Sequence, residues 1–117
     1  MIKTILIANR GEIAIRIAKT CRKMGIKTIG VFSEKDKESL HLDFFDESYS
    51  LGLDSLRESY LNINKIIDIA VKSKSDAVHP GYGFLSENYE FAKKLKLKKI
   101  IFIGPPHQAI AKSDNEL

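Results

Sequence analysis

Four short apolar runs punctuate the chain, at residues 5–8, 28–32, 77–79 and 100–103, each bounded by Gly, Pro, Asn, Asp or Ser. They predict strands. Three of the runs are continuously apolar and rich in Ile and Val, without polar alternation, as strands buried on both faces of a parallel sheet are. Helical patterns lie between them. From 11 to 24 the apolar positions Ile13, Ile17, Cys21 and Met24 recur at helical spacing, with Arg16, Lys19, Arg22 and Lys23 turned elsewhere. Gly25 closes that helix. A second helix is predicted over 63–74, carrying Ile63, Ile66, Ile67, Ala70 and Val71, and a third over 87–97, carrying Phe91, Ala92 and Leu95. The stretch 40–51 reads as one helical turn followed by a strand at 48–51.

Strand and helix thus alternate, with no internal repeat, low-complexity tract or linker. With right-handed crossovers this predicts an α/β domain, a Rossmann-like open parallel sheet of about five strands with helices on both faces. The expected strand order, 3-2-1-4-5, sets the first strand beside the fourth. Ligands of such sheets bind beyond the carboxyl ends of the strands, where the winding reverses. That directs attention to residues 9–12 after the first strand and 80–84 after the fourth.

A chain of 117 residues and 13.2 kDa fits a single domain, here 1–117, able to hold a core without metal or disulfide staples. Cys21 is the one cysteine. No apolar run approaches the roughly 20 residues of a membrane span. The N-terminus lacks a signal-peptide core, so a cytoplasmic location is expected. The net charge of +4 is mild. Its densest patch, Lys93, Lys94, Lys96, Lys98 and Lys99, contains no arginine, and reads as a solvated helix end rather than a nucleic-acid footprint.

The first loop, Asn9-Arg10-Gly11-Glu12, has one glycine where a dinucleotide fingerprint needs three. Asn9 and Glu12, three apart, predict a capping box, whose carboxylate would neutralise the helix end that a phosphate seeks. Arg10 then stands either as a fixed cation for an anion or as an ion-pair partner. In the second loop, His79-Pro80-Gly81-Tyr82-Gly83-Phe84, two glycines flank a tyrosine immediately beyond a buried strand. Gly81 and Gly83 allow positive φ or close approach of a ligand, and Tyr82 offers a flat apolar face with a polar tip. A tight turn whose aromatics cover the sheet end is the alternative. Ser86 is expected to cap the third helix, with Glu87 in its first turn. His41, His79 and His107 lack partners at metal-ligand spacing, so no metal site is expected. Cys21 reads as a core thiol. Nothing here completes a reaction alone.

Residues 7–16 (Ile-Ala-Asn-Arg-Gly-Glu-Ile-Ala-Ile-Arg), Ser59-Tyr60-Leu61-Asn62, residues 79–88 (His-Pro-Gly-Tyr-Gly-Phe-Leu-Ser-Glu-Asn) and Phe102-Ile103-Gly104-Pro105 together resemble the N-terminal, pre-ATP-grasp domain of biotin carboxylase. Order and spacing agree over nearly the whole chain. The resemblance extends to the corresponding parts of acetyl-CoA, propionyl-CoA, methylcrotonyl-CoA and pyruvate carboxylases. It implies part of a ligase that uses ATP, Mg and bicarbonate to carboxylate biotin on a biotin carboxyl carrier protein, ahead of a carboxyltransferase. It also implies that Tyr82 and Gly83, with Phe84 and Arg10, face the biotin and bicarbonate end. Asn9, Gly11, Glu12, His79, Pro80, Gly81, Ser86 and Glu87 would frame that wall, and Arg16 and Lys19 would lie near a homodimer face.

The chain departs from the family after the closing Gly-Pro, where a Met-Gly-Asp-Lys stretch is usual and this sequence has Ser113-Asp114-Asn115-Glu116. The ATP-grasp and C-terminal domains of that family are absent from these 117 residues. An excised or truncated domain, inactive by itself, is therefore expected. The competing expectations are a non-catalytic interaction module that dimerises through Arg16 and Lys19, and a stand-alone nucleotide binder.

Overall fold

A computed structural model describes residues 1–52, 55 and 58–104. His107 and the stretch 113–116 lie outside the described residues. Five strands, β1 (Thr4–Ile7), β2 (Lys27–Ser33), β3 (Glu47–Gly52), β4 (Ala77–His79) and β5 (Ile101–Phe102), form one parallel sheet in the order β3-β2-β1-β4-β5. Three helices connect them, α1 (Gly11–Lys23), α2 (Ile63–Lys72) and α3 (Tyr89–Leu97). Between β2 and β3 the chain makes two short 3₁₀ turns, Glu34–Asp36 and Leu40–Phe44, in place of a full helix.

Alternation along β1 divides the core in two. Leu6 and Ala8 join Ile66, Phe91 and Leu95 from α2 and α3 on one face, whereas Ile5 and Ile7 join Ala14, Ala18 and Cys21 of α1 on the other. This division follows from crossover handedness, because the chain winds one way from β1 to β3 and the opposite way from β4 onward.

Helix α1 departs from the expected stripe. Ala14, Ala18 and Cys21 are buried, Ile13 and Ile17 are half-buried, and Met24 is 69% exposed. Small residues form the line nearest the sheet and the isoleucines flank it. Helix α3 starts later than expected. Asn88, not Ser86, is its N-cap, accepting from the Phe91 N–H at 2.9 Å. Ser86 remains in the preceding turn, where its N–H donates to the Gly83 carbonyl. Glu87 therefore precedes the helix. The left-handed residues Gly83 and Phe84 lengthen the turn and push the cap downstream. The lysines of the last turn are solvated as expected, and Lys94 pairs with Glu90 one turn earlier at 3.7 Å.

Candidate functional site

Beyond β1 the strand zipper runs one step further, the Ala8 N–H donating to the His79 carbonyl at 2.9 Å. Asn9 follows, 2% exposed. Its Nδ2 donates to the Pro80 carbonyl at 2.7 Å and the Tyr82 carbonyl at 2.8 Å, and its Oδ1 accepts from the Arg10 N–H at 2.8 Å. The two loops at the winding reversal are thus joined through one side chain.

This arrangement overturns the expected capping box. Arg10 occupies the N-cap of α1 without a side-chain cap bond, Asn9 is committed to the opposite loop, and Glu12 is exposed in the first turn. The spacing was right, but the buried carbonyls of the second loop bound the amide instead.

The second loop is held closely at its base. Burial keeps the His79 imidazole below its ordinary pKa, hence neutral, and its Nδ1 accepts from the Gly81 N–H at 3.1 Å. Gly81 has φ +69°, and a Cβ there would lie 2.7 Å from Asn9 Nδ2 and 2.9 Å from Ile13 Cγ2, so glycine is required twice over. Downstream, Phe84 stacks on Tyr60 with ring centroids 5.3 Å apart. Between these anchors Tyr82 projects, 75% exposed, and Gly83 opens onto free space with φ +70°.

Arg10 turns toward the β2 side. Its Nε lies 3.4 Å from Asp36 Oδ2, and its guanidinium sits 5.7 Å from the Tyr60 ring centre. The buried Asp36 also accepts from Tyr60 Oη at 2.8 Å and Ser33 Oγ at 3.3 Å. Burial, then the bond to Asp36, pushes the Tyr60 phenol well above its usual range. His41 is buried beside this cluster, one ring nitrogen bonded to the Val31 backbone and Nε2 without a partner among the described residues. Asp36 and Tyr60 received no role from sequence reasoning. Asp36 stands in the charged run 34–38, where nothing in the sequence sets it apart from its neighbours, although the Ser-Tyr-Leu-Asn motif did single out Tyr60.

On the α1 side of β4 and β5 no helix of the described residues covers the sheet. A groove of about 710 Å³ opens there, floored by Ile5, Ile17 and Ile103 and reaching Arg16 and Tyr82. Cys21 also touches it, but burial raises its thiol pKa, consistent with an inert core cysteine. Arg16 is exposed, whereas Lys19 lies 5.3 Å over the Phe44 ring. Among the described residues no group of three or more His, Cys, Asp or Glu is placed to hold a metal ion.

Residues 1–110 match the family model described as biotin carboxylase, N-terminal domain. The chain belongs to this family. It is 51% identical over its full length to biotin carboxylase 2 of Bacillus subtilis, covering 26% of that protein. It is 55% identical over 93% of its length to the mitochondrial methylcrotonoyl-CoA carboxylase subunit alpha of Rattus norvegicus, covering 15% of it. The crystal structure of Kluyveromyces lactis urea carboxylase superposes with a TM-score of 0.93 at 49% identity, over 95% of this chain and 10% of that one. The chain therefore spans about a quarter or less of the relatives' lengths, the part that forms their biotin carboxylase N-terminal domain. No helix of the described residues is long and apolar enough to cross a membrane.

Proposed function

We propose that this biotin carboxylase N-terminal domain supplies one wall of the active site of an ATP-dependent biotin carboxylase. The remaining domains would bring ATP and its metal, and a biotin carboxyl carrier protein and a carboxyltransferase would complete the system. The Tyr82-Gly83 tip carries the reading. It is an exposed aromatic face beside an open peptide group, rigidly based at the carboxyl ends of β1 and β4. Such a tip fits the planar ureido ring of biotin, which offers a flat face and a carbonyl acceptor. The described residues do not fit ATP or Mg. They hold neither a carboxylate cluster nor a glycine-rich phosphate cradle, so this domain's part is to bind and orient.

In this reading Tyr82 covers one face of the acceptor ring, Gly83 lets it approach the backbone, and Phe84 roots the tip on Tyr60. Arg10 contributes fixed positive charge at the other loop, held in place by Asp36. A test is to replace the first 117 residues of the Bacillus subtilis enzyme with this chain. There Tyr82→Ala is expected to reduce kcat/KM for biotin by about tenfold, the order of one lost aromatic contact, with ATP use much less affected. Equal loss toward both substrates contradicts the assignment. The isolated chain is expected to form no carboxybiotin, and ATP-dependent formation by it would refute that expectation.

A homodimer contact through α1 is the second reading. It is favoured by Arg16, exposed at the lip of the groove with no side-chain partner among the described residues. Light scattering on the chimera and its Arg16→Glu variant tests it, a monomer in both cases counting against a dimer.

A further inference from the structure

We infer that Asn9 is a positioning residue for the biotin-side loop, aiming the Gly83 N–H at the ligand by holding the carbonyl on the other side of the same peptide bond. The inference rests on the proposed role of the Tyr82-Gly83 tip. Asn9 is remote in sequence from that loop, yet both hydrogens of its amide are spent on loop carbonyls, Pro80 and Tyr82, on either side of Gly81. Neither bond is needed to close the sheet, because β1 and β4 already pair from Ile5 to Ile7 and Ala8 extends the zipper. Neither caps α1, whose N-cap is Arg10.

A trans peptide is planar, with its C=O and N–H pointing in opposite directions. Once the Tyr82 carbonyl is bound inward to Asn9, the Gly83 N–H must point outward. That N–H makes no hydrogen bond among the described residues, and a Cβ on Gly83 would meet nothing within 4 Å. The loop thus presents an unsatisfied donor toward open space, in an orientation fixed by a buried side chain. A carbonyl or carboxylate oxygen is the acceptor chemistry it suits. Gly81 completes the device, since any side chain there would displace the Asn9 amide.

The test uses Asn9→Asp, which keeps the acceptor for the Arg10 N–H but turns an anionic oxygen toward the two loop carbonyls. In the chimera, kcat/KM for biotin is expected to fall by about ten- to a hundredfold, the scale of a group misplaced by an ångström, while KM for ATP is unchanged. In the isolated chain, the Gly81 and Gly83 amide resonances should shift, and the Gly81 amide, bonded to His79, should exchange faster with solvent, with resonances of α2 and α3 unmoved. Should Asn9→Asp fail to fold, Gly81→Ala strikes the same amide from the loop side, and the same pattern is expected. Equal losses toward biotin and ATP, or unmoved glycine amides, would overturn the inference in favour of a purely structural amide. If Asn9→Asp leaves biotin use intact while Tyr82→Ala impairs it, the tip keeps its role and Asn9 loses its own. If Tyr82→Ala spares biotin use, the tip assignment fails and takes this one with it.

Discussion

His41 and His79 place their imidazoles inside the fold uncharged. Burial holds both below the ordinary value of 6.5. At His41 the Val31 bond and Asp36 pull the value up and Arg10 pushes it down, but burial dominates. The unfolded chain therefore binds protons that the folded one refuses, so stability is complete above 6.5 and declines as the pH falls below it. The melting temperature is expected to drop on acidification from neutrality to about pH 5, and His41→Gln/His79→Gln should flatten that drop. A pH-independent melting temperature over this range would contradict the neutral-imidazole account. Individual residues were the least legible level of the sequence. Asn9 and Glu12 have the types and spacing of a capping box, but burial beside two loop carbonyls gave the amide stronger partners. Asp36 sits among exposed charges, and only the return of Tyr60 across the sheet end makes it a buried acceptor.

At the level of elements, the apolar runs predicted β1, β2, β4 and β5 within a few positions, most plainly β1, whose buried Ile5, Leu6 and Ile7 leave no room for polar residues. By contrast, β3 carries neither Ile nor Val and was legible only as the end of the stretch 40–51. The β3-β2-β1-β4-β5 order is the one expected from the usual winding of such alternating sheets. Helix ends were less legible, since several cap-forming residues stand close together before α3. Ser86 and Asn88 are both suitable types, and the left-handed pair Gly83 and Phe84 decides between them. Asn88→Ala is expected to cost about 1 kcal/mol of stability in chemical denaturation and Ser86→Ala much less. A reversed ranking would restore Ser86 as the cap. The small-residue seam of α1 was missed because large side chains dominate any hydrophobic stripe, whereas a helix lying on a sheet puts its small ones at the line of contact. A similar closeness operates at Gly30, whose missing Cβ makes room for the Phe45 ring. Gly30→Ala should destabilise the fold by about 1–3 kcal/mol through overpacking, measured by the same denaturation.

Among the described residues, the sheet has one well-covered face and one partly bare one. Helices α2 and α3 share the first, while α1 and the 3₁₀ turns cover only the β1–β3 side of the second. The isolated chain is therefore expected to bind an apolar fluorescent dye in the groove, and Ile17→Lys should reduce the signal without unfolding the protein. Absence of dye binding by the folded chain would mean that the groove is closed in solution. An exposed apolar face is what the sequence leads one to expect of a domain without its neighbours, but not where it lies, because the residues lining the groove look like ordinary core positions on their own elements.

The central place of β1 has a temporal consequence. Of the five strands it is made first, and it pairs on one flank with β2 but on the other with β4, Ile7 meeting His79. At roughly 5–20 residues per second, a ribosome needs about four to fourteen seconds to add the intervening seventy or so residues. Throughout that interval β1 has one edge with no partner yet synthesised, so this domain is most vulnerable to mispairing before β4 emerges.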